Sequence, residues 1–391
     1  MISLARYGAL LAEREVRQVY AVSLLGRLPI GITGLAVLIL VQSATGSFAE
    51  GGAATGCYVA GLAGVAPLLG RLIDRYGPTV PLLTSAMAFP AALGLLAGTV
   101  AQGGPAWLTY AAAIVAGASF PPITVCMRTY FKQRFAEDAL LSTAYSLESV
   151  LIELIFIAGP LLVALLVATA SASAAVGASA ACGAVGAVLF ARSPAVRGWK
   201  IEPRTAGSLL GPLGVPGFVH LVAVVLTFST AFGLLEIGVT AYATERGNAA
   251  LAGVLLGLMS VGSALGGIVY GTRSWPFPLA RQFAAMLALM AAGLALMSLD
   301  WGPWLFAAWS LLAGVVMAPA LIAQSMLVAR TARPEHSTEA FTWSASALLA
   351  GVGLGLAAGG AILEVSSAGA AFAAAAATSL LAALGARLLL R

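Results

Sequence analysis

The sequence predicts an all-α membrane protein of twelve transmembrane helices, arranged as two pseudo-symmetric six-helix bundles. Three observations carry that expectation. Of the 391 residues, 60% are hydrophobic and only 9% charged, with a mean hydropathy of +0.98. A soluble globule could not keep such a surface wetted. When the apolar runs are numbered from an inside N terminus, eighteen of the twenty Lys and Arg residues fall at the chain ends or in alternate loops, leaving Arg246 outside and Arg27 within a span. That asymmetry places both termini in the cytoplasm. The third observation is an internal repeat: Gly61, Leu62, Val65, Leu69 and Gly70 recur 196 residues later as Gly257, Leu258, Val261, Leu265 and Gly266.

Residues 1–17 carry Leu4, Tyr7, Leu10 and Leu11 among Arg6, Arg14 and Arg17, which reads as a short helix on the cytoplasmic membrane surface. Crossing a hydrocarbon layer of ~30 Å takes about 20 apolar residues. Runs of that kind cover 18–42, 52–73, 79–100, 106–130, 139–166 and 170–191 in the N-terminal bundle, 18–191. In the C-terminal bundle, 216–391, they cover 216–243, 249–272, 279–299, 303–329, 338–365 and 368–389. Spans 6 and 12 are Ala-rich. Residues 192–215, broken by Pro and Gly, read as a cytoplasmic linker. With so many spans following, the first apolar run is not a cleavable signal.

Charges inside a span are costly and mark function. Arg27 lies in span 1, Glu148 and Glu153 in span 5 and Glu236 in span 7. Counted from the inner ends of their helices, Arg27 and Glu148 lie at similar depth, roughly 13 Å in, so they can pair. Glu153 sits about 140° further round span 5 and cannot share that partner equally. Burial favours a neutral acid and a neighbouring Arg favours the carboxylate. At least one of these acids is therefore a candidate proton carrier, against the alternative of a fixed Arg27–Glu148 lock. Tyr20, Tyr145, Gln324, Phe341 and Trp343 are candidates for lining a substrate cavity. Trp107, Trp301 and Trp304 at outer ends, with Trp199 and Trp275 at inner ones, read as an interfacial belt. The small-residue spacings Gly253-x3-Gly257, Gly262-x3-Gly266, Gly351-x3-Gly355 and Gly355-x3-Gly359 allow close helix approach, either across the halves or within one.

Cys57, Cys126 and Cys182 lie singly in apolar segments and have no metal-ligand spacing. No phosphate-binding loop or intramembrane His/Glu/Cys cluster is present. ATP-driven transport and enzymatic hydrolysis are therefore not expected, and neither is a cofactor, a metal or a nucleic-acid partner.

Between spans 2 and 3 stands PLLGRLIDRYGP, with Gly70, Leu72, Asp74, Arg75 and Gly77 in the spacing G-x-L-x-D-R-x-G. This resembles the signature loop of the major facilitator superfamily of secondary transporters. In the second copy Tyr270 stands where the acid would be. The resemblance implies that Gly70, Asp74, Arg75 and Gly77 form a conformational latch. It also implies that spans 5 and 8, and 2 and 11, meet across the halves. Asp74 lies near the start of span 11, where the helix dipole favours an acid.

Gly159-Pro160 in span 5 resembles the core of the antiporter signature of drug exporters, implying a hinge. Ile155, Val163 and Ala164 replace its flanking glycines, and Ala113 stands where exporters place an Arg before Gly117. The run Thr143–Leu162 together with GRLPIG at 26–31 is similar to actinobacterial exporters of the superfamily. The expected function is therefore proton-coupled efflux of amphipathic, drug-like or secondary-metabolite compounds, peptide antibiotics included, by a monomer in a bacterial inner membrane. The single Asn, Asn248, argues against polyol recognition. A facilitator or importer of a small metabolite, and a non-transporting receptor on the same fold, are the alternatives.

Overall fold

A computed structural model describes residues 5–201, 211–247, 250–299 and 302–390. Leu4, Arg204, Asn248, Trp301 and Arg391 lie outside the described residues. Among the described residues, twelve helices are long and apolar enough to cross a membrane: Arg14–Thr45, Glu50–Tyr76, Thr79–Ala101, Ala106–Arg134, Asp138–Thr169, Ala172–Ala191, Pro216–Glu245, Leu251–Thr272, Leu279–Met297, Pro303–Thr331, Pro334–Val365 and Ala368–Leu389. They are numbered spans 1–12 below. An even number of crossings puts the first and last described residues on one side. This side also carries the Lys- and Arg-rich loops, and it is called the basic side.

Spans 1–6 pack on one another, as do spans 7–12, and the halves meet chiefly where span 2 faces span 11 and span 5 faces span 8. Two spans are broken at equivalent places. Span 4 consists of Ala106–Ala118 and Ile123–Arg134, and span 10 of Pro303–Gly314 and Met317–Thr331. Pro121 and Pro122 have no N–H to return to Gly117 and Ala118, and Pro319 has none for Val315. The break at 119 falls 196 residues before the one at 315, the same offset as the sequence repeat.

Glycine sets the closest approaches. The glycines of span 11 serve its own half: a Cβ on Gly359 would meet Ile237, and Gly351 and Gly355 lie on Leu226, Ser229 and Thr230 of span 7. Gly262 and Gly266 lie on Leu311 and Val315 of span 10. These spacings therefore pack helices within one half. A Cβ on Gly253 or Gly257 would meet no other part of the fold within 4 Å. In the first half, a Cβ on Gly159 would lie 2.5 Å from the Gly31 carbonyl carbon. The span 5 helix runs unbroken through Pro160. Gly159→Ala is therefore expected to lower the thermal unfolding temperature, because spans 1 and 5 cannot separate without opening the core; an unchanged temperature would show that the two backbones do not touch.

The N-terminal helix, Ala5–Ala12, does not simply lie along a surface. Leu10 is buried in the core, and the Tyr7 hydroxyl donates to Ile268 O of span 8 at 3.3 Å. Burial pushes the Tyr7 hydroxyl up to about 12, so it remains a neutral donor. Trp275 departs from simple belt placement: it stacks on Tyr270 with ring centroids 5.5 Å apart and donates its Nε1–H to Tyr270 O.

Candidate functional site

The basic side is sealed by groups that reach across the halves. Helix starts leave backbone N–H groups unpaired, and Asp74 satisfies two of them on span 11. Its carboxylate accepts from Thr338 N at 2.9 Å and from Glu339 N at 2.8 Å. Arg71 donates through Nε and Nη2 to Glu339 Oε1 at 3.1 and 2.6 Å. Glu339 is fully buried, and its Oε2 stands 3.6 Å from His336 Nδ1. Lys132 Nζ donates to Ala332 O and Ser337 Oγ, and the Thr129 and Thr338 hydroxyls share a bond.

Further along the same face, Thr143 donates to Gly271 O, and Arg330 pairs with Asp138. Of the two arginines in the loop motif, Arg71 is the one in the seal. Arg75 is exposed, its guanidinium 5.0 Å above the Tyr76 ring. Gly77 ends span 2 with φ at +81°, a backbone state that favours glycine. Gly70 lets span 11 come close: a Cβ there would lie 2.8 Å from Glu339 Cα and 2.9 Å from Thr338 O. Gly70→Ala is therefore expected to pry the seal open, read as faster alkylation of buried Cys126 in protein whose Cys57 and Cys182 are serine; protection equal to that of the parent would show that the seal tolerates a methyl group.

Above the seal lies a buried charge cluster. Arg27 Nη2 stands 3.2 Å from Glu148 Oε1, and Arg128 Nε stands 3.1 Å from the same oxygen. Arg27 and Glu148 are each about 1% exposed. Two arginines and one glutamate leave one formal positive charge. Tyr20 and Tyr145 are not open to a cavity in this conformation: their hydroxyls donate to Ala144 O and Arg128 O. Tyr145 meets Phe341 of the other half edge to face at 6.2 Å. Gln324 Nε2 donates to Ser344 Oγ at 2.7 Å. Gln324 Oε1 and Trp343 Nε1 are buried without a hydrogen bond among the described residues.

Glu153, half-buried, is placed apart from this cluster. Ser263 of span 8 donates to its Oε1 at 2.6 Å, while Ser263 Oγ accepts the Ala318 N–H at 3.1 Å. That N–H is one of the unpaired donors created by the break in span 10. Glu236 is exposed on span 7, and no described residue pairs with its carboxylate. His220 is exposed near the basic-side end of the same span.

Among the described residues, hydrogen bonds between the halves reach no farther from the basic side than Glu153–Ser263 and Ser346–Ala63 O. Beyond that level, Cβ positions on Gly52, Gly56, Gly253, Gly257 and Gly353 meet open space. Among the described residues, hydrogen bonds therefore tie the halves on the basic side, and none ties them near the opposite end.

Arg128, Ser263 and Glu339 were not singled out by sequence reasoning. By its place in the sequence Arg128 reads as a loop charge, although it lies six residues inside the end of span 4, at the depth of Glu148. Glu339 and Arg71 are 268 residues apart, and the resemblance that brings spans 2 and 11 together does not say which of their side chains meet.

Two helical halves sealed at one end around buried charges, within twelve membrane-spanning helices, define a secondary membrane transporter. The model of the Major Facilitator Superfamily matches residues 19–281, and the chain belongs to that family. No curated protein matches the sequence. Among solved structures, the human organic anion transporter MFSD10 (TETRAN) is similar at 18% identity and TM-score 0.73, covering 96% of this chain and 100% of that one. A bacterial homologue of the iron transporter ferroportin in an outward-facing state gives 14% identity and TM-score 0.77, over 97% and 98% of the two chains. The E. coli fucose:proton symporter FucP gives 12% identity and TM-score 0.73, over 95% and 98%. At these identities the likeness is one of fold.

Proposed function

We propose that this transporter is a proton-coupled exporter of amphipathic organic compounds, small molecules or peptides, with its basic side in the cytoplasm of a bacterial cell. The observation that carries the reading is Glu153, a half-buried acid without a basic partner among the described residues, bonded across the halves to Ser263 at the far limit of the seal. In the conformation described, protons arrive from the opposite side. A carboxylate accepts a hydroxyl proton roughly twice as strongly as a neutral group does. Protonation of Glu153 therefore weakens the tie between spans 5 and 8 and favours parting of the halves on the basic side. There the proton leaves and substrate enters. Asp74, with Gly70 and Gly77, acts as the latch of that side, while Arg27–Glu148 holds spans 1, 4 and 5 together. Gln324 Oε1 and Trp343 Nε1 offer hydrogen bonds to a polar group on an otherwise apolar substrate.

Proteoliposomes carrying an acid-outside gradient and ethidium as the probe test this reading. Dye movement coupled to proton movement is expected in the parent protein, and Glu153→Gln should abolish the coupling while dye still binds. Counterflow untouched when Glu148, Glu153 and Glu236 are all replaced would establish a facilitator instead, and binding without flux a receptor.

One observation favours a second reading, carriage of an organic anion: Arg27, Arg128 and Glu148 leave one positive charge uncompensated within the membrane. Carboxyfluorescein in the same liposomes distinguishes the two, since only an anion carrier moves it.

A further inference from the structure

A cavity of about 450 Å³ opens on the basic side between the halves. It is lined by Arg6, Asp138, Arg273, Arg330, Tyr270 and Trp275, among others. Arg330 pairs with Asp138, Arg6 Nη2 donates to Ser274 Oγ at 2.7 Å, and the Arg273 guanidinium lies 5.2 Å over the Trp275 ring. Three arginines and one aspartate leave two formal positive charges, and neither Arg6 nor Arg273 faces a carboxylate among the described residues. An anion belongs there, and the planar guanidinium fork suits phosphate.

A second cavity, of about 270 Å³, shares Tyr270 and Trp275 with the first and is otherwise apolar. Leu265, Val269, Leu289 and Val315 present exposed side chains along it, on spans 8, 9 and 10. A cationic chamber on the basic side that continues past two aromatic rings into a greasy groove has the two-part chemistry of a phospholipid.

We infer that this joined pair of cavities binds an anionic glycerophospholipid of the basic-side leaflet, its phosphate between Arg6, Arg273 and Arg330 and one acyl chain along spans 8 to 10. Basic pockets between helices near a membrane surface take anionic headgroups in this way. Arg6 and Asp138 come from the first half and Arg273 and Arg330 from the second, so the chamber is complete only while the basic side is closed. The lipid therefore stabilises that conformation, because it binds one state and not the other. This holds whichever substrate is carried and whether or not protons are coupled.

The test uses the full chain in nanodiscs of phosphatidylcholine, with or without phosphatidylglycerol. Two readouts serve: phosphatidylglycerol retained in native mass spectrometry, and alkylation of Cys126 with Cys57 and Cys182 replaced by serine. Phosphatidylglycerol is expected to be retained and to slow alkylation. Arg6→Gln and Arg273→Gln should each weaken retention about fivefold, and Arg281→Gln, an exposed arginine outside the cavity, should leave it unchanged. Val269→Trp, which fills the groove without touching the charges, should also weaken retention. Unfolding temperatures equal to the parent's in phosphatidylcholine alone show that each variant is folded. Equal retention in the Arg6, Arg273 and Arg281 variants would overturn the site. Protection of Cys126 by millimolar inorganic phosphate in phosphatidylcholine discs would overturn the lipid assignment and leave a free-anion site.

Discussion

Glu148→Gln is expected to cost about 3–5 kcal/mol of stability, the usual effect of removing one member of a buried ion pair. Among the described residues Glu148 is the only acid in contact with both Arg27 and Arg128, so its loss leaves two guanidiniums without that counter-charge within the membrane. Arg27→Met should cost less, about 1–3 kcal/mol, since Glu148 then keeps Arg128. The double substitution should cost less than the sum, because the three groups share one oxygen. Thermal unfolding in detergent gives the order directly. If Arg27→Met is the more damaging change, Arg128 does not share the acid and the cluster is a simple pair.

The second large effect is expected at Asp74. Replacing it with Ala strips both backbone N–H groups of span 11 of their acceptor, inside a seal that excludes water. Charged hydrogen bonds of this kind contribute about 1.5–3 kcal/mol each, and the freed N–H groups regain part of that from water once the seal parts. A net shift of about 3 kcal/mol changes the ratio of closed to open forms roughly 100-fold. Cys126 is buried in span 4 beside Asp74, which makes it a native reporter. Its alkylation from the basic side should rise by a factor on the order of 100. Arg71→Met should do less, because the Arg71 side chain is 41% exposed and its bond to Glu339 is partly screened. Equal rates for Asp74→Ala and the parent would mean that the cap does not hold the halves together.

The spans were legible in the sequence because lipid leaves the backbone few options, and most predicted ends fall within a few residues of those observed. The depth of charges was legible where a helix end could be counted from, which brought Arg27 to Glu148. The breaks in spans 4 and 10 were not read, although Pro121, Pro122 and Pro319 mark them. Their value lies in the backbone donors they free, and the partner of Ala318 N, Ser263, lies 55 residues away. The glycine spacings of spans 8 and 11 show that helices come close without saying which helix is met. Span 7, not the opposite half, occupies those of span 11. The motif loop pointed to Asp74 and Arg75, whereas geometry enlists Asp74 and Arg71, because the two arginines stand one helix turn apart in height and only Arg71 is level with Glu339.

The account depends on the two ends of the cleft opening in turn. Spin labels on Tyr76 and Arg333 report the basic side, and labels on Ala44 and Thr244 report the opposite one; all four positions are exposed. Pulsed electron spin resonance in nanodiscs should show a short basic-side distance and a long opposite-side distance in the resting protein. Acid with ethidium should lengthen the first while shortening the second. Distances that lengthen together, or that both stay fixed, would contradict it.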